Sequence, residues 1–214
     1  MFSGRGWRLD RFEFFFTFYG LILGLAAAEI LSSLGAYVRA RPLRSLELQS
    51  GLLAFLTFLV ICATWIDAWV TRDTFELSFA SMFAPIGSAT AYYLAAVVVL
   101  PKEESDFDAM SAYFLRRKKF VVSMLIAAEV FQKIVFLPIF AQTLAEAPAV
   151  FWLLMFPINI ALFALWTVLL VAQKRRTIIA AIVLQIVLFS IPYWSAGWAS
   201  QAIARAYGYD LAPR

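Results

Sequence analysis

Residues 14 to 38 read FFFTFYGLILGLAAAEILSSLGAYV, an apolar run with a single charged residue, Glu29. At about 1.5 Å of rise per residue, a helix of this length is about 37 Å long and crosses the roughly 30 Å hydrocarbon core of a bilayer. The run lacks the two-residue alternation of a barrel strand, and unpaired backbone groups are costly in lipid, so a helix is expected. Arg5, Arg8 and Arg11 before it, and Ala26, Ala27 and Ala28 within it, imitate a secretory signal with its small-residue cleavage site. The run continues through ILSSLGAYV to RARP, which is too long for a signal core and suits a retained span.

Five further runs of the same kind follow, so six spans are expected at 14 to 38, 50 to 70, 76 to 100, 120 to 143, 149 to 172 and 177 to 203. Hydrophobic residues make up 63% of the chain and charged residues 15%, with a mean hydropathy of +0.81, which excludes an ordinary soluble domain. The expected fold is an all-α integral membrane protein, a six-helix bundle forming a single membrane domain over residues 1 to 214. LAAAEILSSL in the first span resembles LIAAEVFQKI in the fourth, and FAPIGSA in the third loosely echoes SIPYWSAG in the sixth. That pattern admits an inverted three-plus-three repeat, in which Glu29 and Glu129 would correspond.

Lys and Arg outside the spans set the orientation. Six lie on the side of the termini (Arg5, Arg8, Arg11, Arg72, Arg205, Arg214) and eleven on the other, including Arg116, Arg117, Lys118, Lys119, Lys174, Arg175 and Arg176. Both termini are therefore expected outside, in the periplasm. The two basic clusters named last are read as topology anchors that meet anionic lipid. Basic residues concentrated at span ends argue against a nucleic-acid partner. In the longest loop, Ser105 and Asp108 stand at a capping-box spacing, and a helix there is expected to run on into the fourth span.

GLILGLAAAEILSSLG in the first span, TWIDAWVTRD at the end of the second, YYLAAVVVLP closing the third and SAYFLRRKKFVV opening the fourth are features of one kind. On these, across residues 14 to 125, the chain resembles a broad group of uncharacterised multi-spanning bacterial inner-membrane proteins. The resemblance implies an inner-membrane location and no activity. A histidine is common near the position of Glu29 in that group, and this chain departs from it.

There is no histidine and one cysteine, Cys62, which excludes imidazole metal sites, a Ser-His-Asp triad and an intrachain disulfide. No nucleophile with its base, no paired-acid dyad and no phosphate-binding loop stands at a working spacing, so neither an enzyme nor a cofactor is expected. What remains is polar residues inside spans, each costing at least about 2.5 to 3.5 kcal/mol to insert when charged. Glu129, Gln132 and Lys133 share one face of the fourth span, the acid four residues before the base. They, with Glu29, read either as packing contacts and a structural ion pair or as a polar route for protons or cations. Asp67 reads as interfacial or as the mouth of such a route, and Gln185 as a hydrogen bond between helices. Gly20, Gly24, Ala28 and Ser32 recur every four residues and predict a close helix contact. Pro85 with Gly87, and Pro192 with Gly197, are the candidate hinges or unwound segments. Transport or channel activity is the first expected function, and a structural or accessory subunit of a homo-oligomer or larger membrane complex is the alternative.

Overall fold

The computed structural model describes residues 11–42, 45–70, 79–146 and 149–206. Its helices are α1 (Arg11–Ala40), α2 (Leu48–Val70), α3 (Phe79–Val99), α4 (Glu104–Phe107), α5 (Met110–Glu146), α6 (Ala149–Val171) and α7 (Arg175–Ala206). No strand occurs among the described residues. Three of these helices contain stretches long and apolar enough to cross a membrane, Phe15–Ala40, Leu48–Ala68 and Met82–Val99, and Phe156–Val171 is a shorter apolar helix. Their outward faces carry Leu21, Leu25, Phe55, Phe83 and Ile160, while Gln49, Thr57, Thr64 and Gln185 are buried. Large apolar side chains facing outward, with the few polar ones turned into an otherwise apolar core, are what a hydrocarbon solvent selects.

α3 is the central helix, packed chiefly against α5 and α1 and also against α2. Its buried face is built from Ala84, Ala89, Ala91, Ala95 and Ala96, small enough for two neighbours to approach closely. α1 buries Phe15, Tyr19, Leu23, Ala26 and Ile30 in the main core, a stripe in steps of three and four, and Tyr37 in a second cluster with Phe107 and Met110. The small-residue stripe of Gly20, Gly24, Ala28 and Ser32 faces α2 and the outside rather than this core. A Cβ on Gly20 would stand 3.2 Å from the Trp65 ring of α2, Gly24 has nothing within 4 Å, and Ala28 and Ser32 are exposed. α6 packs on α5 and α7, and α7 also on α2, which closes the bundle around α5.

Three sequence expectations change here. α3 remains a continuous helix through Pro85, so this proline pair is no unwound segment, and Gly87 serves packing instead, since a Cβ there would stand 3.2 Å from the Phe131 ring of α5. Pro192 and Gly197 fall in the part of α7 whose side chains lie outside the described residues. The predicted capping box does not form: α4 starts after Glu103 with no side-chain cap, and Asp108 instead takes both bonds from Arg41 at 2.7 and 2.9 Å. Both carboxylate oxygens accept from the one Nη2, and such a charge-assisted bond is stronger than one from a backbone amide. The helix leading into the fourth span is present, because α5 begins at Met110.

The third correction concerns Lys118. It is only 4% exposed, and its ammonium donates to the Ala172 carbonyl just past the end of α6, so it does not face lipid headgroups. The last carbonyls of a helix have no intrahelical donor and carry partial negative charge, which a lysine satisfies on both counts. Burial, and secondarily the charge of Lys119, pushes the Lys118 ammonium below its ordinary pKa. Arg116, Arg117, Lys119, Lys174, Arg175 and Arg176 remain exposed on the same side.

Candidate functional site

Six helices bring polar side chains to one level of the bundle. Gln132 of α5 donates to the Thr64 hydroxyl of α2 at 2.7 Å, Thr64 donates to the Tyr92 hydroxyl of α3 at 3.3 Å, and Tyr92 donates to the Glu129 carboxylate of α5 at 3.4 Å. The bonds form a ring that leaves α5 at Gln132 and returns to it one turn earlier at Glu129. Such a ring works only because positions three apart on a helix share a face. Tyr92 and Thr64 are fully buried, where a hydrogen bond is electrostatically stronger and an unpaired group more costly than in water, while Glu129 and Gln132 are half-buried. Tyr19 of α1 joins from the side, beside Gln132 and Ser88. The Lys133 charge lies one turn beyond Glu129, with Asp67 of α2 at longer range.

Next to the ring is a cavity of about 150 Å³. One wall is polar, with Thr64 and Asp67 from α2 and Glu129, Gln132 and Lys133 from α5. The opposite wall, from α6 and α7, is mostly apolar and aromatic: Ile158, Leu162, Phe163, Trp166 and Phe189. Two amides, Asn159 and Gln185, interrupt it. Gln185 is 1% exposed, and its Oε1 has no hydrogen-bond partner among the described residues. A buried amide oxygen in that state costs about 1 to 3 kcal/mol unless a water or ligand supplies a donor. At about 30 Å³ per water the cavity has room for several.

The residues singled out in the sequence divide into two places. Glu129, Gln132, Lys133, Asp67 and Gln185 come together around the cavity. Glu29 does not belong to it. Its carboxylate is ion-paired with Lys102, three residues past the end of α3, and is 26% exposed. Thr64, Tyr92, Asn159 and Trp166 complete the site without having been anticipated. As uncharged residues they give no large insertion cost, and the one signal available was a polar atom inside an apolar run. No group of three or more metal-ligating side chains occurs among the described residues. Comparison of the chain with models of known families, with curated proteins and with solved structures finds no match.

Proposed function

We propose that the chain is a small polytopic protein of the bacterial inner membrane that carries protons or small cations through the cavity beside Glu129. In this reading all six apolar runs cross the bilayer, both termini are periplasmic, and the exposed basic clusters meet anionic lipid. The inverted three-plus-three repeat is not required by it. The observation that supports it is a cavity among helices with two carboxyl groups on one wall and an unpartnered buried amide oxygen on the other. Purely structural polar contacts in a membrane satisfy one another, whereas an acceptor left open beside acids calls for a mobile donor. Purified protein in vesicles under an imposed potential should pass protons or monovalent cations, and Glu129→Gln should lower that flux by roughly tenfold, the effect of about 1.4 kcal/mol. Equal flux from vesicles with and without the protein would sink the reading.

One observation favours the alternative of an accessory subunit. Between α1 and α2 lies an open apolar groove of about 280 Å³, formed by Gly20, Leu23, Gly24, Ala27, Cys62 and Trp65 among others. Small residues facing outward suit a neighbouring helix, from a second copy or a larger complex. Absence of flux together with co-purification of a stoichiometric membrane partner is the result that alternative expects.

A further inference from the structure

The hydrogen-bonded ring beside the cavity is built only from groups that both give and accept hydrogens. It holds an amide (Gln132), two hydroxyls (Thr64 and Tyr92) and a carboxyl group (Glu129), drawn from α2, α3 and α5. Every bond points the same way, from the Gln132 amide through Thr64 and Tyr92 to Oε1 of Glu129. Oε2 of the same carboxyl group has no hydrogen-bond partner among the described residues, and Glu129 lines the cavity. One oxygen is thus held by a buried phenol, and the other is left for what enters the cavity. The other ionisable groups around Glu129 and Tyr92 are Lys133 on α5, Asp67 on α2 and Tyr19 on α1. Among the described residues, α6 and α7 face the site with the neutral amides Asn159 and Gln185 and with apolar side chains.

Such a ring tells a proton from a metal ion. A proton added to Oε2 leaves the Tyr92 bond to Oε1 in place, because a carboxylic acid still accepts on its carbonyl oxygen. When the acid O–H turns toward Tyr92, the two hydroxyls rotate, the Gln132 amide turns its oxygen to Thr64, and the ring runs the other way with as many bonds as before. Both charge states of Glu129 therefore keep the buried hydroxyls paired, where an unpaired one is costly: Tyr92 is 0% and Thr64 3% exposed. A metal ion accepts lone pairs only. Bound at Oε2 it draws nothing more from the ring, and bound deeper it has to turn the Tyr92 O–H away and leave a buried hydrogen without an acceptor. On uptake a hydronium ion gives its proton to Oε2, so that one O–H bond forms on Glu129, one breaks on the hydronium, and water remains. On release the new bond breaks and the proton passes to another water, so one positive charge moves and Glu129 returns to the carboxylate.

We propose that the ion carried in the transport reading, on which this inference rests, is the proton alone, bound to Glu129, and that Tyr92 is the positioning residue that holds the carboxyl group in both charge states. The full chain is reconstituted in vesicles, where an internal pH dye reports protons under a potassium diffusion potential. Tracer sodium and rubidium uptake is measured in separate vesicles without ionophore. Proton flux should exceed that of empty vesicles and tracer uptake should not. Glu129→Gln should lower the proton flux by roughly tenfold or more, and Tyr92→Phe by roughly threefold or more. Infrared difference spectra between high and low pH should show a protonated-carboxyl band that Glu129→Gln removes and Tyr92→Phe shifts in frequency, which a tyrosine serving packing alone leaves unmoved. Should Tyr92→Phe not fold, Thr64→Val removes the next hydroxyl of the ring and is expected to act in the same direction. Tracer uptake that Glu129→Gln abolishes, or a folded ring variant with unchanged flux and an unshifted band, overturns the inference. Sodium or rubidium flux without proton flux leaves the transport reading standing and removes this one. No flux of any ion removes transport; a Glu129 band that still titrates and shifts in Tyr92→Phe then upholds the proton site alone, and its absence removes both.

Discussion

Tyr113 is a residue whose hydrogen bonds can be read out by pH. Its hydroxyl donates to the Val98 carbonyl at 3.0 Å and reaches the Leu100 carbonyl at 3.4 Å, tying the start of α5 to the end of α3. The Val98 carbonyl is among the last of α3, which lack intrahelical donors, and Leu100 follows the helix end, so a phenol is a fitting cap. Burial is the main cause that pushes its pKa above the ordinary value of about 10. The folded chain therefore keeps this proton at a pH where the unfolded chain has lost it. The stabilisation is complete below about pH 10 and is lost as pH rises through the folded-state value. Thermal melts in detergent should show wild-type stability falling above about pH 10 more steeply than that of Tyr113→Phe, which has no proton to lose there. At neutral pH the same variant should be less stable by about 0.5 to 1.5 kcal/mol. Parallel slopes for the two proteins would mean the hydroxyl is hydrated rather than buried. Nothing in the sequence marks Tyr113 for this role, since its partners are backbone atoms some fifteen residues away, beyond the reach of local pattern.

At the scale of the elements, the choice of helix face is where sequence and structure part. Gly20, Gly24, Ala28 and Ser32 identify a face of α1 that allows close approach, but not whether the helix that approaches belongs to the same chain. Within the chain Gly20 lies against the Trp65 ring of α2, while the main core of α1 uses the larger side chains of the Phe15, Tyr19, Leu23, Ala26 and Ile30 stripe and α3 supplies small ones. The close backbone approach appears at Gly87, with the Phe131 ring against it. These two glycines therefore predict opposite outcomes. Gly87→Leu must displace the Phe131 ring at the α3–α5 interface and should cost about 1 to 3 kcal/mol of stability, or prevent folding. Gly24→Leu enters open space and should leave the melting temperature of the monomer nearly unchanged. If the groove is covered by a second copy, Gly24→Leu should instead shift the protein to a smaller species on size-exclusion chromatography. Comparing the two melts and the two elution positions separates intrachain packing from association. Equal destabilisation by both substitutions would show that α1 and α2 are closer than the groove between them implies.

For the molecule as a whole, the helical class and three apolar helices of membrane-crossing length are legible in the chain because lipid imposes one rule on a span. Depth is less legible, and Glu29 shows why. Near the middle of its apolar run, it pairs with Lys102 beyond the end of α3 because α1 is longer than a bilayer core is thick. A helix of 30 residues measures about 45 Å against roughly 30 Å of hydrocarbon. With Glu29 held at the level of the loop after α3, the eleven residues of α1 beyond it extend about 16 Å past that level. There Tyr37 packs edge-on to Phe107 at 5.1 Å, and Arg41 grips Asp108. The end of α1, α4 and the start of α5 thus form a charged platform at one end of the bundle. The basic excess predicts that this platform is cytoplasmic. With Cys62 replaced by Ala, single cysteines at Ser3, Pro213 and Glu103 test it through a membrane-impermeant maleimide on intact cells. Ser3→Cys and Pro213→Cys should label, and Glu103→Cys should label only after the membrane is opened. The reverse pattern would place the platform, and the Glu29–Lys102 pair beneath it, in the periplasm, and would turn the direction of any flux through the Glu129 cavity the other way.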